Sequence, residues 1–185
     1  MIDLDLLVEE GLLTQQELQE TYWGEEPSRV DFGLLYQNRL RILRKAFSRF
    51  CADGQFHRFL EENAEWLPDF ALYMALKDKF RGAPWYQWTN PLKFREESAM
   101  ETAVSELNEE IHFYCFVQYL FYKQWGALRD YAHANGVEII GDVPIYVPYD
   151  SVEVWKEPQH FQLDENLAPT AVAGCPPDAF SEDGQ

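Results

Sequence analysis

The spacing of apolar and polar positions predicts that the first three quarters of the chain are helical. Apolar residues recur every three or four positions, which is the repeat of one face of an α-helix. Between residues 31 and 59, Arg and Lys side chains occupy the opposite face, as in an amphipathic helix. The helices predicted from this pattern cover residues 15–21, a part of 31–59 that Gly54 interrupts, 55–64, 66–80 and 96–135, the last as two helices or one bent helix.

Capping residues predict where several of these helices begin and end. Thr14 precedes a helical stretch and has Glu17 three residues on, which is the pattern of a capping box. Gly136 follows the longest helical pattern and is predicted to end it. Ser151 is predicted to cap a short helix that contains Trp155, so a structural role is favoured for both.

One short stretch follows the pattern of a strand. Residues 137–140 form a β-branched, apolar run between Gly136 and Gly141, which favours a buried strand over a helix. Asp142 comes directly after it, where parallel α/β folds place functional polar groups. One helix–strand–loop unit is compatible with a mainly α fold or with a piece of a larger α/β protein, because a closed (β/α)₈ barrel requires eight strands and typically about 250 residues.

The composition restricts the kind of protein and its partners. The 185 residues are 46% hydrophobic and 16% aromatic, which predicts a folded chain rather than a disordered one. The net charge of −17 disfavours nucleic acid and anionic membranes and favours neutral or cationic partners. The three cysteines and four histidines lack metal-ligand or triad spacing, and no leader or membrane-spanning run is evident. A reduced, cytoplasmic protein is therefore expected.

Several motifs occur together and in order over the last 45 residues or so of the chain. They are G-D-V-P-I-Y-V at 141–147, D-S-V-E-V-W at 150–155, F-Q-L-D at 161–164 and T-A-V-A-G-C-P-P-D-A-F-S-E-D-G-Q at 170–185. Together they resemble the 4-α-glucanotransferases of glycoside hydrolase family 77, the amylomaltases or disproportionating enzymes. The resemblance continues upstream through G-A-P-W-Y-Q-W at 82–88, L-P-D-F-A-L-Y-M-A-L-K at 67–77, Y-Q-N-R-L-R-I-L-R-K-A-F at 36–47 and I-D-L-D-L-L-V-E-E-G-L-L at 2–13.

The resemblance implies an α/β fold in which this chain is a partial (β/α)₈ TIM-barrel segment. Residues 1–110 would form a helical insertion subdomain, and residues 111–185 a barrel helix, one or two barrel strands and a substrate loop. In the family, the nucleophilic Asp, the acid/base Glu and a third, stabilising Asp lie downstream of the segment that this chain matches. No catalytic residue is therefore expected here, and the chain alone is predicted to be inactive.

The resemblance also implies the reaction and the partners. The parent enzyme would transfer α-1,4-glucan segments between maltooligosaccharides by a retaining double displacement, in which two carboxylates carry both steps without a metal or an organic cofactor. The expected partners are maltooligosaccharides or other α-1,4-glucans and the remainder of the barrel, but neither nucleic acid nor a membrane. Residues 137–147 are expected to expose strand edges and apolar faces, which favours self-association of the isolated chain.

Four residues are candidates for substrate binding. By the resemblance, Asp142 orders the sugar-binding floor, and the loop at 176–185 arches over bound glucan with Asp178 as an acceptor and Phe180 as an apolar platform. Ala179 stands where many relatives have Tyr, so an aromatic contact is missing there. Trp85 offers a flat face for a sugar ring, although packing is expected for at least two of the aromatics Trp85, Tyr86 and Trp88.

Structural explanations compete with each of these assignments. Asp142 would merely cap a turn, and 176–185 would be an ordinary surface loop. For the chain as a whole, two other classes remain open. One is a non-catalytic glucan-binding module, and the other is a purely structural helical segment that docks onto a barrel.

Overall fold

The computed structural model describes residues 2–26, 28–143, 146–172 and 174–184. Its regular structure is helical, and the only bridge between extended segments in these ranges is an isolated antiparallel one between Leu163 and Pro169. Single 3-10 turns lie at Trp85–Gln87 and Pro158–His160. The α-helices are α1 (Leu4–Glu9), α2 (Gln15–Glu20), α3 (Phe32–Phe47), α4 (Gly54–Glu62), α5 (Leu67–Lys79), α6 (Asn90–Lys93), α7 (Glu97–Glu106), α8 (Asn108–Ala134) and α9 (Val152–Lys156).

The chain divides into two compact units, each made of two separate stretches. The first unit comprises Met1–Ala71 and Glu109–Ile139, and the second comprises Leu72–Asn108 and Ile140–Gln185. The boundary predicted after residue 110 separates a helical insertion from the barrel. It does not coincide with an end of either compact unit, and it stays a prediction. Among the residues that the structure places, no helix is long and apolar enough to cross a membrane.

Local side-chain chemistry starts the helices where the sequence predicts. Thr14 and Glu17 form the predicted capping box, in which each side chain accepts a hydrogen bond from the other residue's backbone N–H. Ser151 caps α9 by accepting a hydrogen bond from the Val154 N–H.

The role predicted for Gly54 is wrong. The preceding helix already ends at Phe47, and Gly54 is the first residue of α4 rather than an interruption. The physical reason is the N-cap Asp53, whose side chain accepts hydrogen bonds from the N–H groups of Gln55 and Phe56, both at 2.9 Å.

Aromatic side chains from three helices build the core of the first unit. Phe113 and Phe116 of α8 have no exposed surface. The Phe116 ring centroid lies 5.4 Å from that of Phe47 and 4.7 Å from that of Phe50. Tyr119 of α8 contacts the ring of Phe56 from α4 edge-on, with the ring centroids 5.4 Å apart. Tilted and edge-on contacts of this kind stabilise the core beyond the area that they bury.

The long helix α8 ends in a Schellman motif at Gly136, as predicted. Gly136 has a φ of 73°, its N–H donates to the His133 carbonyl, and the Val137 N–H donates to the Ala132 carbonyl at 2.9 Å. A positive φ at this position is why glycine serves as the terminating residue.

The strand predicted at 137–140 is not found. Residues 137–143 are irregular, and no β-ladder joins them to another segment that the structure describes. The physical reason is that a strand is defined by hydrogen bonds to a neighbour, and the apolar pattern cannot supply that neighbour. Over the described residues, the structure therefore establishes a helical segment but no barrel strand. Pro144 and Ile145, in the stretch predicted to expose strand edges, lie outside the described residues.

The second unit has its own aromatic core around Trp155. The Trp155 indole N–H donates to the Leu92 carbonyl at 2.9 Å, and the Arg95 guanidinium lies 4.3 Å from its ring centroid. Tyr73 and Trp88 pack against Trp155 with ring centroids 5.8 and 5.4 Å away. These contacts join α5, α6 and α9 and position the polar groups described next.

Candidate functional site

The carboxylate of Asp150 joins three segments of the second unit. The Tyr73 hydroxyl donates to its Oδ1 at 2.7 Å, and the Lys77 ammonium donates to its Oδ2 at 2.6 Å. The Trp85 backbone N–H donates to Oδ1 at 3.2 Å. Tyr73 and Lys77 stand four residues apart on α5 and therefore share one face of that helix. We refer to these four residues as the Asp150 cluster.

The cluster shifts the pKa of two of its members, Asp150 and Tyr73. Burial raises the pKa of Asp150, but the hydrogen bonds from Lys77, Tyr73 and Trp85 outweigh it and hold that pKa below its ordinary value. Burial and the hydrogen bond to Asp150 together raise the pKa of the Tyr73 hydroxyl. At neutral pH the carboxyl is therefore charged and the phenol is protonated, which is the state that the hydrogen bonds require.

Trp85 is a packing residue in this structure, so the predicted stacking on a sugar is not supported. Its side chain is 0% exposed, and its indole N–H donates to the Tyr149 carbonyl at 2.7 Å. The Tyr149 ring contacts it edge-on, with the ring centroids 5.2 Å apart. A ring without an accessible face cannot stack on a ligand, which is the physical reason for this correction.

Tyr149 connects the Asp150 cluster to the turn that follows α9. Its ring stacks on Tyr86 with centroids 4.5 Å apart and planes 9° from parallel, and its hydroxyl donates to the Leu167 carbonyl. Leu167 lies in a turn organised by Asp164, which accepts hydrogen bonds from the N–H groups of Asn166 and Ala168, both at 2.8 Å. Residues 149–170 are thereby held as one connected piece.

An open groove of about 620 Å³ lies on this piece. A groove of this size is within the range of small-molecule sites, which combine apolar walls with a few polar groups. Hydroxyl, imidazole and amide groups are present at Tyr146, Tyr149, His160 and Gln162. The apolar part of its wall includes Val147, Val154, Phe161, Leu163 and Val172.

The loop at 174–184 displays one of the predicted pairs. Asp178 accepts hydrogen bonds from the backbone N–H groups of Phe180 at 2.8 Å and Ser181 at 2.9 Å, which forms an Asx turn. Phe180 is 93% exposed. The structure thus brings Asp178 and Phe180 together, with the aspartate shaping the turn and the ring facing solvent. Gln185, the last residue of the predicted loop, lies outside the described residues.

Two contacts hold this loop at its base. The Tyr146 hydroxyl donates to the Gly174 carbonyl at 3.2 Å. Gly184 has a φ of 79°, and a Cβ at that position would lie 2.5 Å from the Cys175 carbonyl oxygen. Glycine is therefore required at 184 both for its backbone conformation and for the close approach of the two loop ends.

Asp142 is exposed and makes only a local contact. Its carboxylate accepts a hydrogen bond from the Val143 N–H at 2.8 Å, and no other hydrogen bond or ion pair links it to a residue that the structure describes. It is not joined directly to Trp85, Asp178 or Phe180. Its second carboxylate oxygen has no hydrogen-bond partner among the described residues.

The sequence motifs contained Asp150, Tyr73 and Lys77, but the pattern gave no sign of their cluster. Asp150 opens D-S-V-E-V-W, whereas Tyr73 and Lys77 lie in L-P-D-F-A-L-Y-M-A-L-K. The one signal in the sequence was the four-residue spacing of a tyrosine and a lysine on a helix face that also carries apolar residues. That signal does not name a partner 73 or 77 residues away.

Comparison with known proteins establishes the family. A sequence profile for glycoside hydrolase family 77, described as 4-alpha-glucanotransferase, matches residues 1–185. The chain therefore belongs to the 4-alpha-glucanotransferase family, and the resemblance seen in the sequence motifs is confirmed.

Individual relatives agree with this result and show how much of their length the chain spans. It is 47% identical over 191 residues to a 4-alpha-glucanotransferase of Thermus thermophilus, covering 100% of this chain and 37% of that protein. It is 42% identical over 187 residues to one of Clostridium butyricum, covering 100% of this chain and 38% of that protein. The structure of an amylomaltase from Streptococcus agalactiae in complex with acarbose matches with a TM-score of 0.92 at 41% identity, covering 100% of this chain and 38% of that one.

Proposed function

We propose that this chain is a segment of a 4-α-glucanotransferase and that it forms the substrate-side wall of the active site. The observation that carries the proposal is the family match over residues 1–185 in a chain that spans 38% of the Clostridium relative. The catalytic carboxylates would lie in parts of the enzyme outside these 185 residues. The chain by itself is then inactive.

The reaction is the transfer of an α-1,4-glucan segment with retention of configuration. A carboxylate attacks the anomeric carbon while a carboxylic acid protonates the leaving 4-oxygen, and the donor segment becomes covalently bound to the enzyme. The 4-hydroxyl of an acceptor glucan then attacks the same carbon, giving up its proton to the second carboxylate and releasing the first. The part of this chain is to hold the donor and acceptor chains.

Three of the predicted residues suit that role by their exposure and partners. Asp142 has a carboxylate oxygen without a partner among the described residues, and it would accept a hydrogen bond from a sugar hydroxyl. Phe180 presents a ring face on a turn shaped by Asp178, which suits contact with the C–H face of a glucose ring. Trp85 supports the wall from inside instead of contacting the sugar.

The larger fold that we propose is a (β/α)₈ barrel to which this chain contributes a helical insertion, a barrel helix and the stretch 137–143. Ile140 is 94% exposed and Val143 is 81% exposed, which is unusual for β-branched residues in a finished fold. Neighbouring strands of the enzyme would cover them and complete the backbone pairing. The acids needed for catalysis would then stand at the same edge of the barrel as Asp142.

The partners that follow are neutral α-1,4-glucans, in agreement with the net charge of −17, and the remainder of the enzyme. Exposed apolar side chains on α8, among them Trp125, Leu128 and Tyr131, are candidates to be covered by that remainder. In the isolated chain the same surfaces would favour self-association. A cytoplasmic location remains part of the proposal, because the three cysteines lack disulfide or metal-ligand spacing.

The proposal is tested by exchanging segments between relatives. The corresponding segment of the Thermus thermophilus enzyme, which is 47% identical, is replaced by residues 1–185, and glucose release from maltotriose is measured. We expect the chimera to release glucose and to form maltopentaose, with the parent enzyme as the positive control. The isolated 185-residue chain should release none.

Two results would contradict the proposal. Glucose release by the isolated chain would show that it contains its own catalytic groups. A chimera that folds like the parent but does not transfer glucan would show that this chain cannot supply the substrate-side wall.

A further inference from the structure

The Asp150 cluster holds together the segments that carry the exposed groups of the second unit. Its hydrogen bonds come from α5 and from the 3-10 turn at Trp85–Gln87, and Asp150 itself lies in the segment that leads into α9. We propose that Asp150, with Lys77 and Tyr73, is a positioning residue for the glucan, an inference that rests on the proposed function. It sets the place of the groove wall and of the 174–184 loop without contacting the substrate.

Asp150 is poorly placed to contact substrate or to transfer a proton. Its Oδ1 accepts hydrogen bonds from Tyr73 and Trp85, and its Oδ2 accepts one from Lys77 at 2.6 Å. The side chains of Lys77 and Asp150 are 18% and 35% exposed, so the pair is partly shielded from water. A carboxylate that is paired on both oxygens with donors of its own protein is a structural anchor rather than a free acid or base.

The connection from Asp150 to the groove runs through the adjacent tyrosine. The carbonyl of Tyr149 is held by the Trp85 indole N–H, and its ring is stacked on Tyr86. Its hydroxyl donates to the carbonyl of Leu167, in the turn that Asp164 organises. Because Tyr149 also lines the groove, a shift of Asp150 would move this part of the groove wall.

A second connection runs from the same segment to the loop. Three residues before Tyr149, the Tyr146 hydroxyl donates to the Gly174 carbonyl at the start of the 174–184 loop. Both Tyr146 and the described part of the loop are largely exposed, and this hydrogen bond links the two. The position of Phe180 thus depends on the position of the segment that Asp150 anchors.

Lys77 strengthens the anchor from the side of α5. Besides Asp150, its ammonium donates to the Gly82 carbonyl at 2.9 Å, just beyond the end of that helix. The helix end, the turn that leads to Trp85 and the Asp150 segment therefore meet at one cation. Removing that charge should release the same segments as removing the carboxylate.

The experiment uses the chimera described above and measures KM and kcat for maltotriose in Asp150→Asn, Lys77→Met and the double variant. We expect KM to rise about tenfold in each single variant while kcat changes by less than about threefold, because positioning acts on ground state and transition state alike. The double variant should resemble the single ones, since the two residues act as a unit. Glu165→Gln, which removes an exposed acid of the same unit, is the matched control and should leave KM unchanged.

The outcomes separate this inference from the proposed function. An inactive unmodified chimera would contradict the proposed function, whereas an active chimera whose Asp150→Asn variant keeps its KM would contradict only the inference. A kcat loss of 100-fold or more at unchanged KM would also overturn it, because it would indicate a catalytic role. Tyr73→Phe removes a single hydroxyl, so it provides the same test with a KM rise of about threefold if the other variants fail to fold.

Discussion

Two aspartates of the second unit organise their surroundings in opposite ways. Asp178 accepts hydrogen bonds from backbone N–H groups two and three residues further on, and so it shapes only its own turn. Asp150 accepts hydrogen bonds from residues 65, 73 and 77 positions earlier in the chain, and so it joins separate segments. An aspartate carboxylate that accepts hydrogen bonds from nearby residues thus shapes a solvent-facing loop. One that accepts them from distant residues holds several segments of the chain together.

The aromatic residues beside these two aspartates differ in how much of their surface is exposed to solvent. Trp85 is 0% exposed next to Asp150, whereas Phe180 is 93% exposed next to Asp178. Burial near the distant partners makes the first ring part of the scaffold. Exposure on the local turn leaves the second ring available to a ligand.

The largest expected effect is from Trp85→Ala. Truncation of a buried Trp removes its packing and its hydrogen bond to the Tyr149 carbonyl, so the free energy of unfolding should fall by about 3–5 kcal/mol. Urea unfolding followed by far-UV circular dichroism measures this change. The matched control is Phe180→Ala, which should change the free energy of unfolding by no more than about 0.5 kcal/mol. Equal losses in the two variants would contradict the distinction between scaffold and loop.

Asp150→Ala should have the next largest effect. Its removal takes away the anionic partner of the Lys77 ammonium and the acceptor of the Tyr73 hydroxyl, at a cost of about 2 kcal/mol, which partial exposure of the carboxylate moderates. The unfolding free energy of Asp150→Ala and of Asp150→Ala with Lys77→Met would be compared. The double variant should recover part of the loss, because it no longer contains an unpaired cation. If the second substitution instead added a full loss of its own, the two residues would not be coupled.

The sequence predicted those features whose causes are local. The capping box of Thr14 and Glu17, the N-cap at Ser151 and the helix end at Gly136 each depend on residues within five positions, and all three are present. The Asx turn at Asp178 depends on equally local hydrogen bonds, although Asp178 and Phe180 themselves were chosen from the family resemblance. A short-range pattern is sufficient evidence for such features because the hydrogen bonds that stabilise them are also short in sequence.

Features that depend on distant partners were missed or wrongly predicted. The strand at 137–140 requires a neighbouring strand, and the apolar pattern alone could not show whether one is present. Trp85 was a candidate for sugar contact, although packing was expected for at least two of the three aromatics at 85–88, and its burial depends on packing against Tyr149. Asp150 lies in the motif at 150–155, yet its donors lie in two other motifs, at 67–77 and 82–88.

The pH dependence of stability should separate the two aspartates further. The pKa of Asp150 is lower in the folded protein than its ordinary value of about 4, because the hydrogen bonds that the carboxylate accepts outweigh the effect of burial. Such a group stabilises the fold above the unfolded pKa, and this contribution is lost as the pH falls through the folded pKa.

The measurement is urea unfolding of the wild type and of Asp150→Asn between about pH 2 and pH 7. We expect a constant difference in unfolding free energy at neutral pH that shrinks below about pH 4. Lys77→Met serves as a companion variant and should flatten the same dependence, because it removes one of the donors that lower the pKa. A difference that persists unchanged to pH 2 would argue against this role of Asp150.

The smallest effect on stability is expected from Asp178→Ala. Loss of the Asx turn should speed cleavage within residues 174–184 by a nonspecific protease, while the melting temperature falls by less than about 2 °C. Limited proteolysis with mass spectrometry identifies the cleavage sites. Glu182→Gln, which changes an exposed acid of the same loop and retains the Asp178 acceptor, is the comparison variant. A large drop in melting temperature would show that the loop is part of the core after all.

The close approach of Gly184 to the Cys175 carbonyl has a consequence for how this protein can diverge. A loop whose two ends meet returns the chain to the point that it left, as in the compact Ω-loops of other proteins. Residues between 175 and 184 can then be replaced, lengthened or shortened while the neighbouring segments keep their path. Ala179 is exposed and lies between these two ends, so its side chain can change while the ends stay in place. Variation of this kind would alter the surface that the loop presents without altering the scaffold beneath it.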